Sequence, residues 1–572
     1  MVSVIATNII SPLGITTEEN YRAVLAGRSA LKRYLPGEAF GLPEPFAASL
    51  FSEEQRKELA LEGFTFFESL AIQSIRKVLT YTSLGNDFSR IILILSTTKG
   101  NIEESPAEAA QRIAEAIGLT TKPIVVCNAC VSGLSAQLLA NHLLSAGHYD
   151  YAIVVGAEAQ SKFIVSGFQS LKAVSEEPCR PFDIERNGLN PGEAAATIVF
   201  ARDANKERWS YSQMIGKKEH WCLISGATCN DAYHLISPSP QGEGLTNAIN
   251  AVMEGRDKSL LATVCAHGTA TLYNDQMESV AIQRAGLSDI PLSALKGYVG
   301  HTMGAAGVLE TILTMLATDD GIVLPTKGFT ELGVSGRVNI SGEPQPTGKK
   351  AFLKIMSGFG GCNVAAFYAK VIPTSSIADN RQWKKTQTVR ISSKDGKTLT
   401  DIYKQEIGNY PKLTSSSSRF YKMDILSRLA FVAAEKTLSN SPLKGEDKKP
   451  ALILFNHSSS IVADRQFLTT ISNPENYFPS PSAFVYTLPN ITTGEIAIRH
   501  HLCSETSFYI LPDKDETLMT QILEATLSQT GATTAITGWI DAESETNFEC
   551  EMKIITASPN PSKGGENKLL NS

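Results

Sequence analysis

Val125 to Ala136 reads VVCNACVSGLSA, with two cysteines three residues apart between an apolar run and a helical one. The spacing invites a redox or metal-binding pair. In a dithiol pair of the thioredoxin kind both sulfurs sit at the first turn of one helix. Here Cys127 closes the strand-like run PIVVC, while Cys130 opens a segment whose Leu134, Leu138, Leu139 and Leu143 recur at helical spacing, so the two thiols should point apart. Zinc would need a second pair of ligands, and Cys179, Cys222, Cys229, Cys265, Cys362, Cys503 and Cys550 offer no further C-x-x-C. Two readings of Cys130 remain. It is a small buried apolar residue, or it is a single nucleophile at a strand-to-helix elbow, where the helix N-terminus stabilises a thiolate and backbone amides face an incoming carbonyl. The second reading needs partners elsewhere in the chain.

A chain of 572 residues implies several domain-sized units. With 42% hydrophobic and 19% charged residues and a formal net charge of −6, it carries no general attraction to nucleic acid or anionic membrane. The start, MVSVIATNIISPLG, alternates and then turns, without the basic flank and small-residue cleavage site of a signal peptide. No apolar run approaches the roughly 20 residues needed to span a bilayer. Nine scattered cysteines, an odd number, read as free thiols in a reducing compartment, so the cytoplasm is the expected location.

From Met1 to about Ile372 apolar strands, Gly-rich turns and amphipathic helices alternate, as in RIILILSTT before PAEAAQRIAEAIG, which indicates an α/β fold with buried strands. Residues 373–387 are polar and charged and read as a linker, 388–555 as a second, smaller unit, and 556–572 as a disordered tail. The second unit repeats the order of elements in the first. FFESLAIQSIRKVL, RIILILSTTKG and PIVVCNAC are matched by FYKMDILSRLAFVAAEKTL, PALILFNHSSS and AFVYTLPNITTGEIAIRHHL. In that match the Cys130 region corresponds to Pro489 to Gly494, which has no cysteine.

Two histidines supply the partners. TVCAHGTATLYNDQMES carries His267 just after an apolar strand, with Asp275 and Glu278 on the following helix. LSALKGYVGHTMGAAGVLETILTML carries His301 in a Gly-rich loop between Lys296 and Glu310. Loops at strand ends of one sheet converge in space. IMSGFGGCNVAAF adds a strand followed by Gly358, Phe359, Gly360 and Gly361, a glycine-lined turn able to bring an N–H group beside a nucleophile.

This ordered set resembles the β-ketoacyl-acyl-carrier-protein synthases, the condensing enzymes of the thiolase superfamily. The resemblance runs from Met1 to about Ile372 through SPLG, the cysteine elbow, RPFDIERNGLNPGEAAATIVF, CNDAYHLISPSP, HGTATLYND, LKGYVGHTMGAAGVLE and SGFGGCN. It implies two similar halves in a five-layered α/β/α/β/α fold, usually dimerised as a homodimer or with another ketosynthase-like subunit, and an acyl tunnel leading to the cysteine. It further implies that Cys130 takes an acyl group from the phosphopantetheine arm of an acyl-carrier protein, and that a malonyl thioester then decarboxylates and condenses with it. His267 and His301 would serve decarboxylation and hold the enolate oxygen. The amides of Cys130 and Phe359 would form a second oxyanion hole, with Phe359 also the gating aromatic and Gly358 and Gly360 lining the substrate. Lys296 and Glu310 resemble the family's buried ion pair, and Thr269 and Thr271 match positions that bond the pantetheine arm. No permanently bound cofactor and no metal are implied. The chain departs from the family pattern at Asn128, where threonine is usual, at Val131, and at Ser357, where an aromatic is common.

The second unit resembles small, partial ketosynthase-like proteins encoded beside condensing enzymes of aryl-polyene and flexirubin-type pigment pathways. His500 and His501 lack a nucleophile at the matching elbow, so this unit reads as a non-catalytic half-domain that shapes the acyl tunnel or the carrier surface. Two alternatives stand beside the ketosynthase reading. A thiolase would act on a coenzyme A thioester and need a second cysteine as base, for which only Cys362 is near the glycine turn. A chain-length-factor-like protein would not be catalytic, which Cys130, His267 and His301 together argue against.

Overall fold

The computed structural model describes residues 1–82, 84, 87–202, 219–371, 383–409, 420–439 and 450–557. Among the described residues, sixteen strands form one continuous sheet that divides into three sets of related topology. The first set runs Ile124–Val126, Ile91–Ser96, Tyr151–Glu158, Ala194–Arg202 and Val2–Ile10. The second runs Asn339–Ile340, Pro291–Ser293, Leu261–Cys265, Ala351–Gly358, Cys362–Val371 and His220–Asn230. The third runs Thr506–Ile510, Ala451–Asn456, Thr534–Ser544, Asn547–Ala557 and Trp383–Ser392. Leaving aside the edge strand Asn339–Ile340, in each set the second, third and fourth strands by sequence pair in parallel, and the fourth, fifth and first pair antiparallel. The internal repeat is therefore one of strand order, and it extends to all three sets.

The first two sets face each other across two helices, Ser132–Ser145 and Ala306–Asp319, which touch strands of both. Almost every residue of these helices is buried, as expected where a helix is apolar on all sides. Phe66–Leu79 covers the outside of the first set, and Glu243–Met253 with Leu272–Arg284 covers the second, which completes the five-layered α/β/α/β/α arrangement. The central helices approach through glycine. A Cβ on Gly133 would lie 2.6 Å from the Gly304 carbonyl, and one on Gly307 would lie 2.4 Å from the Leu134 amide nitrogen.

The third set corrects the linker boundary. Residues 383–387, read as linker because they are polar and charged, form the start of the strand Trp383–Ser392 on the outer edge of the sheet, where Lys384 and Lys385 face solvent and suit an edge strand. Thr556 and Ala557, assigned to the tail, close the neighbouring strand Asn547–Ala557. Residues 372–382 and 558–572 lie outside the described residues.

The two units meet strand to strand. Thr506–Ile510 pairs antiparallel with Ile124–Val126, the strand that leads into the Cys130 elbow, with Tyr509 opposite Val126 and Ile510 opposite Val125. Asn128, the departure from the family's threonine, has its Oδ1 accept the Phe508 amide at 2.8 Å across this seam. Helix Glu516–Thr530 packs on Ser132–Ser145, while Ile425–Ser439 covers the other face of the third set. Without this unit Ile124–Val126 would be an unpaired apolar edge. Beside it Lys99, 5% exposed, donates to Asp464 at 2.6 Å, to Ser460 Oγ at 3.3 Å and to the Thr487 carbonyl, all three in the second unit.

Asp464→Ala leaves that ammonium buried without a counter-charge, and denaturant unfolding of the whole chain should show a loss of about 3 kcal/mol. A loss below about 1 kcal/mol, the range of an exposed pair, would show that the seam does not depend on this contact.

Candidate active site

The elbow forms because the chain turns from strand to helix within a few residues. Ala129 sits at φ +49°, a region that costs a non-glycine residue energy and persists at functional turns. Ser132 Oγ locks it, accepting the Asn128 amide at 2.8 Å and donating to the Ala129 carbonyl at 2.6 Å. Cys130 is thereby placed just before the first turn of Ser132–Ser145, 8% exposed, at the floor of a cleft of about 390 Å³. Cys127 turns the other way, its Sγ 3.3 Å from the Thr98 carbonyl, so the two thiols do part.

The sulfur of Cys130 and one ring nitrogen each of His267 and His301 lie within 4.8 Å of one another, and the two rings meet edge to face at 5.0 Å. Their tautomers follow from their partners. Lys296 Nζ, which can only donate, is 3.2 Å from His267 Nδ1, and the Met303 amide donates to His301 Nδ1 at 3.2 Å. Both imidazoles therefore carry their proton on Nε2. His301 Nε2 is buried with no protein partner, a donor left for a bound group. Burial first, and then the positive charge of Lys296, hold both histidines well below the usual imidazole range, so both are neutral donors near pH 7.

Burial pushes the Cys130 thiol up to about 12, against the opposing pull of Lys296. The thiolate expected from the helix N-terminus is thus not the resting form, because loss of hydration outweighs a partial helix charge. Lys296 also donates to the His267 carbonyl at 2.6 Å and to Glu310 at 2.8 Å, as its pairing predicts. Burial favours the neutral form of Glu310, but Lys296 and Lys354 together bring its carboxyl below the usual range.

Phe359 is half-buried, its ring 6.1 Å from Phe168, at the tip of the turn between Ala351–Gly358 and Cys362–Val371. A Cβ on Gly358 would come within 3.4 Å of the Cys130 amide nitrogen, so the glycine turn lies directly over the elbow. Thr269 and Thr271 line the cleft with their hydroxyls 2.9 Å apart, and Ser357, also in the lining, bonds Asn363. Cys362 does not join them. Its Sγ points to the seam, 3.7 Å from the Thr506 carbonyl, which removes the base that a thiolase would need.

Sequence reasoning missed four residues. Asp231 lines the cleft with its carboxyl pushed up to about 6 by burial, and accepts bonds from the Ser239 and Gly244 amides and from Asn363; its only signal was its place in CNDAYHLISPSP. Asn490, in the stretch that matches the cysteine elbow, donates to the Phe359 carbonyl at 2.8 Å. Phe484 closes the far side of Cys130. Lys354 reaches Glu310 from the side opposite Lys296, inside a strand that reads as apolar.

Family models match two stretches of the chain. Residues 85–206 match the N-terminal domain of β-ketoacyl synthases and residues 221–330 the C-terminal domain. Both stretches are similar to β-ketoacyl synthases. A putative polyketide β-ketoacyl synthase from Streptomyces cyaneus is 30% identical over 45% of this chain, and the match spans 63% of that relative's own length. The 3-oxoacyl-[acyl-carrier-protein] synthase 2 of Vibrio harveyi is 26% identical over 65% of this chain and 98% of its own. In fold, the likeness extends beyond these two stretches. The PfaC keto synthase–chain length factor structure covers 97% of this chain and is itself covered to 78%, with a TM-score of 0.76 at 13% identity. Among the described residues no helix is long and apolar enough to cross a membrane.

A thiol held near 12 predicts that alkylation of Cys130 by iodoacetamide rises about tenfold per pH unit from 7 to 9. A rate that levels off below pH 8, followed by peptide mass spectrometry, would show a preformed thiolate.

Proposed function

We propose that this ketosynthase catalyses a decarboxylative Claisen condensation, lengthening a fatty-acyl or polyene chain by one two-carbon unit on an acyl-carrier protein. The observation that carries the reading is the pair of neutral Nε2–H donors beside one buried thiol. Such a pair fits an oxyanion, and an enolate oxygen is the charge that a decarboxylating malonyl thioester develops. The three groups act on a thioester in preference to a cation, because buried Lys296 and Lys354 place positive charge behind them.

In the first step Cys130 Sγ attacks the acyl thioester, the carrier's sulfur leaves, and the thiol proton of Cys130 passes to it. The amides of Cys130 and Phe359 receive the tetrahedral oxyanion, and Thr269 and Thr271 hold the pantetheine arm. In the second, the malonyl C–C bond breaks to release CO2, His267 and His301 bond the enolate oxygen, and the carbanion attacks the acyl-enzyme. Cys130 leaves as a thiolate and regains a proton from solvent. All substrates arrive on phosphopantetheine, so the reading includes no permanently bound cofactor. Nine cysteines outside any disulfide fit a reducing cytoplasm.

The second unit has a non-catalytic part in this reading, as a chain-length-factor-like wall fused to the ketosynthase. A small space behind Cys130 is bounded by Thr98, Ile164, Phe168 and Phe359 of the first unit and by Phe484, Thr487 and Leu488 of the second. The two units pair strand to strand within one chain, so in this reading the second unit takes the place of a separate ketosynthase-like partner, and a homodimer or a heterodimer would form through another face.

Incubation with malonyl-acyl-carrier protein and an acyl-carrier protein bearing a short acyl group tests the function. The wild type should release CO2 and form the β-ketoacyl product; Cys130→Ala should release CO2 without product, and His301→Ala should lose at least about a hundredfold of both. Folded wild-type protein that releases no CO2 would sink the reading.

A further inference from the structure

Glu310 is shared by two buried ammonium groups. Lys296 Nζ lies 2.8 Å from one carboxylate oxygen and Lys354 Nζ 2.7 Å from the other, and all three side chains are almost wholly buried. One negative charge thus serves two positive ones. The lysines also hold three consecutive carbonyls. Lys354 donates to those of Cys265 at 3.4 Å and Ala266 at 3.0 Å, and Lys296 to that of His267 at 2.6 Å. The ion pair expected from the sequence, Lys296 with Glu310, leaves Lys354 without a role. A lysine inside the buried strand Ala351–Gly358 is costly unless paired, and its partner already has one.

We propose that Lys354 is a positioning residue for the histidine pair: it anchors the strand end that carries His267 and supplies an extra buried positive charge that keeps His267 and His301 as neutral Nε2–H donors. An imidazole that took up a second proton would lose the tautomer that Lys296 selects, since the Nδ1 lone pair facing that ammonium would be gone. A positive charge behind the ring opposes that uptake, and it favours negative charge on the substrate side.

The other charged groups around the pair leave this bias in place. Glu278, on Leu272–Arg284, accepts the His267 and Gly268 amides, and its carboxyl is pushed up to about 7 by burial, with Asp275 adding to the effect. Glu158, on Tyr151–Glu158, accepts from Thr97, Thr98 and Gly304 and is likewise pushed up to about 7 by burial. Cys130 is a neutral thiol. Burial is the largest influence on both histidines, and Lys296 and Lys354 act on both in the same direction.

The inference rests on reading the histidines as enolate donors, but its test does not need turnover. In two-bond ¹H–¹⁵N spectra of ¹⁵N-histidine-labelled full-length protein, His267 and His301 are assigned by substitution and titrated in wild type, Lys354→Met, Lys354→Gln and Lys354→Arg. Met and Gln remove the charge, and Gln keeps a donor for the carbonyls. Both should raise the pH at which at least one of the pair takes up its second proton by about one unit or more, while Arg keeps the wild-type value. The acid limb of malonyl decarboxylation should move by the same amount. If Lys354→Met does not fold, Lys354→Gln carries the test. Titrations of His267 and His301 that coincide in wild type and a folded charge-removing variant would overturn the inference, whether or not the enzyme condenses its substrates.

Discussion

The close crossing of two central helices governs the site. Gly133 and Gly307 let Ser132–Ser145 and Ala306–Asp319 touch backbone to backbone near their N-termini. Each N-terminus continues a loop that carries chemistry, the Cys130 elbow in one case and the His301 loop in the other. A side chain at either glycine would drive the two apart by more than the few tenths of an ångström that a three-group site tolerates. His267 joins from the end of the strand Leu261–Cys265: Lys296 holds its carbonyl, Lys354 the Ala266 carbonyl before it, and Glu278 the His267 and Gly268 amides. Three groups remote in sequence are thus fixed to one point by backbone contacts.

The second constraint is the open edge. Ile124–Val126 must be paired, and the chain pairs it with its own Thr506–Ile510. This brings the matching stretch without a cysteine, Pro489 to Gly494, against the turn beside the Cys130 elbow. Asn490 holds the Phe359 carbonyl, a Cβ on Gly494 would meet Gly360 Cα at 2.9 Å, and Phe484 sits so close to Gly167 that a Cβ there would overlap its ring. The glycine turn beside Cys130 is therefore part of the seam between the units.

Much of this was legible in the sequence, for identifiable reasons. Cys130, His267, His301, Lys296 and Glu310 stand in short motifs whose loops must lie at strand ends, so their convergence followed from an α/β alternation. The order of elements in the second unit was visible for the same reason. The linker was misjudged because an edge strand needs few apolar residues, and Lys384 and Lys385 look the same on an edge as in a linker. Asn128 was noticed as a departure, but its bond to Phe508 spans 380 residues, which no local pattern encodes. Lys354 was missed because its meaning depends on a carboxylate 44 residues away that already had a partner. The resting state of the Cys130 thiol depends on burial, a property of the folded whole.

The central claim is that two units in one chain build a single acyl site. Its most direct test is the length of acyl group that Cys130 accepts. Whole-protein mass spectrometry would follow adducts formed from acyl-carrier proteins bearing a graded series of saturated chains, in the wild type and in Phe484→Ala. The account predicts that opening the second unit's wall lets Cys130 of the first take longer chains, with acylation by the shortest unchanged. The same cut-off in both proteins would contradict it.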